Sequence, residues 1–278
     1  MARQYYCLVS GLPDLSRNLS KVSLSLSRLK EQLLNDLHHS HKPLLQLLFI
    51  DYDHLNLMNL LKSINDYNHM GNLSLKELDS GIRSSEELPD YMLRFISAYK
   101  SSEPVYPNLS WENQLITLGY KYRLSFRNSF LQHWFIFEVD LKNVVAAISC
   151  RKYNLVINKE LIPVQGEDEL YQTILQKEHT KDFGLSRSFP QIQEMLELSE
   201  KKDIIDREWW VDNLKWDKLN ELVLFHDFSI EKILSYCIKL NILERCLALN
   251  KQKGQLIFNR LIQEISENYL LPKDQYRV

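Results

Sequence analysis

An aspartate and an asparagine three residues apart occur twice in similar settings, as Tyr52-Asp53-His-Leu-Asn56-Leu and as Val139-Asp140-Leu-Lys-Asn143-Val. On a helix, residues three apart share a face, so each pair can hold a neighbouring helix's polar groups or a basic side chain. Asp53, Asn56, Asp140 and Asn143 are therefore read as structural polar pairs. Such pairs also recur by chance on amphipathic helices. Asp217-x-x-Asn220 repeats the spacing, whereas Tyr236 to Asn241 offers a similar helix without the aspartate.

Other residues invite catalytic or metal chemistry and fall short of it. Asp66-Tyr-Asn68-His-Met70-Gly71-Asn72-Leu73-Ser74-Leu-Lys-Glu77 places oxygen-bearing residues at positions 1, 3, 9 and 12 of a calcium-loop template, with glycine at position 6. Met70 occupies position 5, where a hard cation needs oxygen. A glycine turn between two helices, with Ser74 as a cap, accounts for the same residues. His38, His39 and His41 lie in a polar break and read as solvated rather than as ligands. Asp51-x-x-His54 lacks the matched carboxylate–histidine pair that a di-iron bundle site requires. His133, His179 and His226 have no nucleophile placed by motif, and the chain has no GxSxG, GxGxxG or GxxxxGK[ST]. No catalytic residue, cofactor or metal is expected. The basic spots Lys201-Lys202 and Lys251-x-Lys253 read as compensation of helix dipoles. Trp209, Trp210 and Trp216 read as core.

The elements that must position these groups are helical. Leucine occurs 49 times and valine 11 times among 278 residues, with only 7 glycines and 8 prolines. That composition favours long helices with short connections. Tyr5 to Leu15 reads as a short extended or helical opening. Ser25 can cap a helix to about His39, with Leu26, Leu29, Leu33 and Leu37 at helical spacing. Pro43 opens a helix, buried on more than one side, that runs to about Ile64. Ser74-x-x-Glu77 is a capping box, and Pro89 begins the helix ending near Lys100. Residues 101–108 form the clearest linker. From Ser110 to Tyr153 the pattern is helical throughout, bent near Gly119, with a seam of Phe130, Trp134, Phe137, Leu141, Val144 and Ile148. Helices near 167–179, 189–201, 203–225, 230–252 and 255–268 complete an all-α chain of nine or ten helices. Its sections are 1–105, 106–200 and 201–278.

Composition excludes several classes. With 45% hydrophobic and 25% charged residues, the chain is neither disordered nor membrane-spanning. A net charge of −2 gives no overall pull toward nucleic acid or anionic lipid. Cys7, Cys150, Cys237 and Cys246 form no CxxC pair and read as reduced core residues of a cytoplasmic protein. Met1 onward shows no secretory signal.

Three passages together carry a resemblance. The opening Tyr5-Tyr-Cys-Leu-Val-Ser-Gly-Leu-Pro-Asp-Leu resembles the start of an uncharacterised bacterial family encoded beside components of V/A-type rotary ATPases. Asp53-x-x-Asn56-Leu, and Phe137-Glu-Val-Asp140-x-x-Asn143 continuing through Ala146-Ala147 to Arg151-Lys-Tyr-Asn-Leu, resemble helices of the C/d family of V/A-type ATPase stalk proteins. The resemblance implies an elongated, funnel-like, all-α protein of three related lobes. It further implies a non-catalytic central-stalk socket, cytoplasmic and peripheral to the membrane, between the V-type ATPase central axle subunits and the membrane rotor ring. Membrane contact would come only through other subunits, without nucleic acid. The third lobe, from Ser229 onward, departs from the pattern by lacking a clear Asp-x-x-Asn. The alternatives are a helical adaptor or scaffold of different role and an all-α metal-dependent enzyme.

Overall fold

The computed structural model describes residues 4–17, 22–84, 88–164, 169–200 and 204–268, and among them every regular element is helical. Helix α1 (Tyr6–Ser10) is short, and its neighbour Tyr5 donates its backbone N–H to Phe228 O across the fold (2.6 Å). In α2 (Leu26–Asp36), Ser25 Oγ accepts the Arg28 N–H, so the expected cap forms. Leu26, Leu29 and Leu33 lie on one buried face. Full burial of such a side chain contributes about 1.5–3 kcal/mol.

The helix expected from Pro43 to Ile64 is divided. It comprises α3 (Lys42–Gln46), a 3₁₀ turn (Leu47–Phe49) and α4 (Ile50–Leu61). At that turn the Leu47 carbonyl accepts from Arg123 Nε at 3.2 Å, a long-range partner that local spacing does not reveal. The capping box of α5 (Leu75–Ser84) closes as expected, with Ser74 N donating to Glu77 Oε2 at 2.7 Å and Glu77 N to Ser74 Oγ at 3.2 Å. Helix α6 (Asp90–Ser101) begins after Pro89 and stops at Ser102, which takes a left-handed conformation.

The continuous helix expected over 110–153 is two helices, α7 (Trp111–Leu124) and α8 (Ser129–Tyr153). The break lies at 125–128 rather than at Gly119, because Asn128 Oδ1 accepts the Leu131 N–H and starts a new helix. Gly119 sits inside α7 for another reason: a Cβ there would collide with the His54 ring. Helices α9 (Glu169–Gln176), α10 (Ile192–Glu200), α11 (Ile204–Leu222) and α12 (Ile230–Asn268) follow. Gly254 does not interrupt α12, since one interior glycine costs only about 1 kcal/mol and a long helix absorbs it. Among the described residues no helix is long and apolar enough to cross a membrane.

Two buried clusters organise these helices. The larger joins α2 to α7, the first half of α8, α11 and α12; the smaller joins the second half of α8 to α9 and α10. Helix α8 is the shared spine, giving Phe130, Trp134 and Val139 to one cluster and Leu141, Val144 and Ile148 to the other. Trp216 is buried, whereas Trp209 and Trp210 are half-buried. Cys150, Cys237 and Cys246 are buried and free as expected, but Cys7 is exposed. Lys201-Lys202 and the side chains of Lys251-x-Lys253 lie outside the described residues.

Candidate functional site

Asp53 and Asn56 project from α4 onto the loop that follows it. Asp53 is 2% exposed and Asn56 fully buried. Asp53 Oδ1 accepts the backbone N–H of Asn72 (2.6 Å) and of Leu73 (3.0 Å), and its Oδ2 accepts Asn72 Nδ2 (2.7 Å). Asn56 behaves like a peptide unit: its Nδ2 donates to Asn68 O (2.8 Å) while its Oδ1 accepts the Asn68 N–H (2.7 Å). Gly71 is required by close approach, because a Cβ there would stand 2.6 Å from Asp53 Oδ1.

The same contacts answer the calcium-loop reading. Lys30, from α2, donates to the carbonyls of Met70 (2.8 Å) and Gly71 (2.7 Å), with its ammonium 4.5 Å from the centre of the Phe49 ring. Glu77 is engaged in the capping box, and Asn68 Oδ1 accepts the Met70 N–H. The loop thus carries a lysine ammonium against its carbonyls, and oxygens a metal would need are already accepting hydrogen bonds. Burial lowers the Lys30 pKa and raises that of Asp53; the attraction between the two opposes both shifts.

The second pair partly matches the first. Asn143 is fully buried in α8, donates from Nδ2 to Ile162 O (3.1 Å) and accepts the Ile162 N–H on Oδ1 (2.8 Å). Asp140 is half-buried one turn earlier and lines an open cleft with His133, Phe137 and Leu214. Farther along α8, Arg151 donates to the carbonyls of Glu178, Thr180 and Lys181 and lies 3.6 Å from the centre of the Phe183 ring. Sequence spacing shows Arg151 only as a cation at a helix end. The third position differs in kind: Asp217 is bridged by the Arg17 side chain and Asn220 accepts from Lys239 (2.7 Å), with no loop backbone held among the described residues.

A family described as a protein of unknown function, DUF2764, matches residues 1–269. The chain belongs to this family. No curated protein and no solved structure matches it.

The DUF2764 chain also holds an ionic centre, a buried guanidinium paired with an exposed carboxylate, that local sequence did not disclose. Arg123 of α7 is 2% exposed; besides Leu47 O it donates from Nη2 to Asp51 Oδ1 (2.7 Å), and its guanidinium packs 4.8 Å from the centre of the Tyr120 ring. Burial opposes its charge, but Asp51 outweighs it and raises the Arg123 pKa. Reciprocally, Arg123 holds the Asp51 carboxyl below its usual range despite desolvation. His54 is buried beside them, with Nε2 at 2.9 Å from Tyr91 OH and Nδ1 without a hydrogen-bond partner. Burial lowers its pKa to about 3, so the ring is neutral at physiological pH. The signals in the sequence are the Asp51-x-x-His54 spacing and a charged residue within an otherwise apolar helical face at Tyr120 to Leu124. The ionisable groups at these clamps and this centre are tied to backbone or to one another. Among the described residues no three His, Cys, Asp or Glu side chains are placed to hold a metal. What the arrangement does chemically is fix helices to loops.

Proposed function

We propose that the chain is a non-catalytic helical subunit of a V/A-type rotary ATPase, acting as the socket between the central axle and the membrane rotor ring. The observation that carries this reading is the repeated lock: Asn56 and Asn143, the asparagines of the two motifs that resemble the C/d stalk family, each pair with both the backbone N–H and the C=O of one residue in a following loop. A mechanical coupling part needs helices that keep their loops in place under load, and buried double hydrogen bonds supply that. In this reading the sections 1–105, 106–200 and 201–278 are related lobes, and the chain is cytoplasmic and meets the membrane only through other subunits.

Asp217 and Asn220 hold the side chains of Arg17 and Lys239 instead of a loop backbone, which favours a second reading, a helical adaptor of different role. The experiment that separates them is purification of the intact ATPase from cells that encode this chain, followed by mass spectrometry of the complex. A stoichiometric subunit at the ring–axle junction is expected. Preparations that retain ring and axle yet repeatedly lack the chain overturn the socket reading.

A further inference from the structure

A cleft of about 350 Å³ lies between α8 and α11, with Arg245 of α12 at its margin. Leu141 and Val145 face Val211 across it, and Lys142, Arg207 and Lys215 stand on the same two helix faces. Its acidic residues are mostly engaged. Asp51 is held by Arg123, and Arg245 holds Glu208 together with the buried Asp212. Lys142 also attracts Asp51, so Arg207 and Lys215 are left beside the one remaining lining carboxylate, Glu138, to which Tyr120 OH donates at 3.4 Å. Arg207 and Lys215 are half-buried and form no ion pair among the described residues. Partly desolvated, unpaired cations are relieved by an arriving anion.

We propose that this cleft docks an acidic segment of a partner protein, one that presents two carboxylates beside an apolar side chain. Arg207 and Lys215 are two turns apart on α11, about 12 Å along its axis. That spacing matches carboxylates one or two turns apart on a partner helix. No glycine lines the cleft, so it offers none of the close backbone approach by which loops cradle phosphate. The half-buried Val145 and Val211 give an apolar side chain a surface that a small inorganic anion cannot use. The inference rests on the protein-binding reading above and names the chemistry of the partner.

The test uses the full chain and a fluorescein-labelled helical peptide carrying glutamates one turn apart on either side of a leucine, followed by anisotropy. Binding that weakens with added salt is expected. The Arg207→Glu/Lys215→Glu variant, checked for unchanged circular dichroism, should bind at least about tenfold more weakly and should gain affinity for the same peptide with lysines in place of glutamates. Lys215→Gln should shift binding in the same direction by less. Absence of peptide binding, binding indifferent to charge reversal, or displacement of the peptide by an equal concentration of pyrophosphate overturns the proposal. Pull-down on the isolated rotor ring distinguishes the two failures. A double variant that still joins the ring as tightly as the native chain sinks the docking cleft alone, and a native chain that binds the peptide but never the ring sinks the socket alone.

Discussion

The two loop clamps use the same lock in different electrical settings. In the first, Asn56 grips Asn68 while the charged Asp53 and Lys30 brace the same loop from two helices. In the second, Asn143 grips Ile162 with a carboxamide alone among the contacts at that residue. The neutral double hydrogen bond is thus the common part, and charge is an addition peculiar to the loop at 66–73. That loop also lies against α4, which carries the buried Asp53 and His54 side by side.

The sharpest way to break this equivalence is to truncate both asparagines. Asn56→Ala leaves the Asn68 N–H and C=O without their partner, and Asn143→Ala does the same to Ile162. Each should cost about 2–4 kcal/mol in urea unfolding, because two buried polar groups lose hydrogen bonds at once. A variant costing less than about 0.5 kcal/mol would remove its site from the comparison.

A pH series sharpens the electrical difference. His54 has a folded pKa of about 3 against about 6.5 when exposed. The unfolded chain therefore binds the extra proton as pH falls below about 6.5. Stability from the neutral ring is complete above that value and is lost progressively toward pH 3. Between pH 7 and 4.5 the native chain should lose about 2–3 kcal/mol more than His54→Gln does. Equal losses in the two proteins would show that burial of this ring does not govern acid sensitivity. The smallest effect belongs to the third position. Asp217→Ala and Asn220→Ala should each change stability by less than about 1 kcal/mol, since both side chains are exposed. A larger loss there would make it a clamp after all.

What could be read in the sequence is what neighbouring residues decide. Ser25, the box of Ser74 and Glu77, and the leucines of α2 act within one or two turns, so their spacing shows them directly. The division of the helix at Leu47–Phe49 could not be read, because its carbonyl is taken by Arg123 from a distant helix. Gly119 was legible as an oddity and misleading as a bend, since the space it leaves is filled by His54 of another helix. Asn128 was a missed cap in plain view: its carboxamide accepts the Leu131 N–H, and the apolar seam running past it obscured the new start. Of the candidate site, the positions Asp53, Asn56 and Asn143 were legible as paired polar groups within apolar helices. Their partners were not, because those partners are backbone atoms that no residue type advertises.

That last asymmetry has a wider meaning for comparing the two locks. The gripped residues are Asn68 and Ile162, which share no side-chain chemistry, and they lie 12 and 19 positions beyond the asparagines that hold them. A main-chain latch of this type is indifferent to what it fastens and to how much chain intervenes. Two such fastenings can therefore agree in geometry while the residues they fasten share nothing.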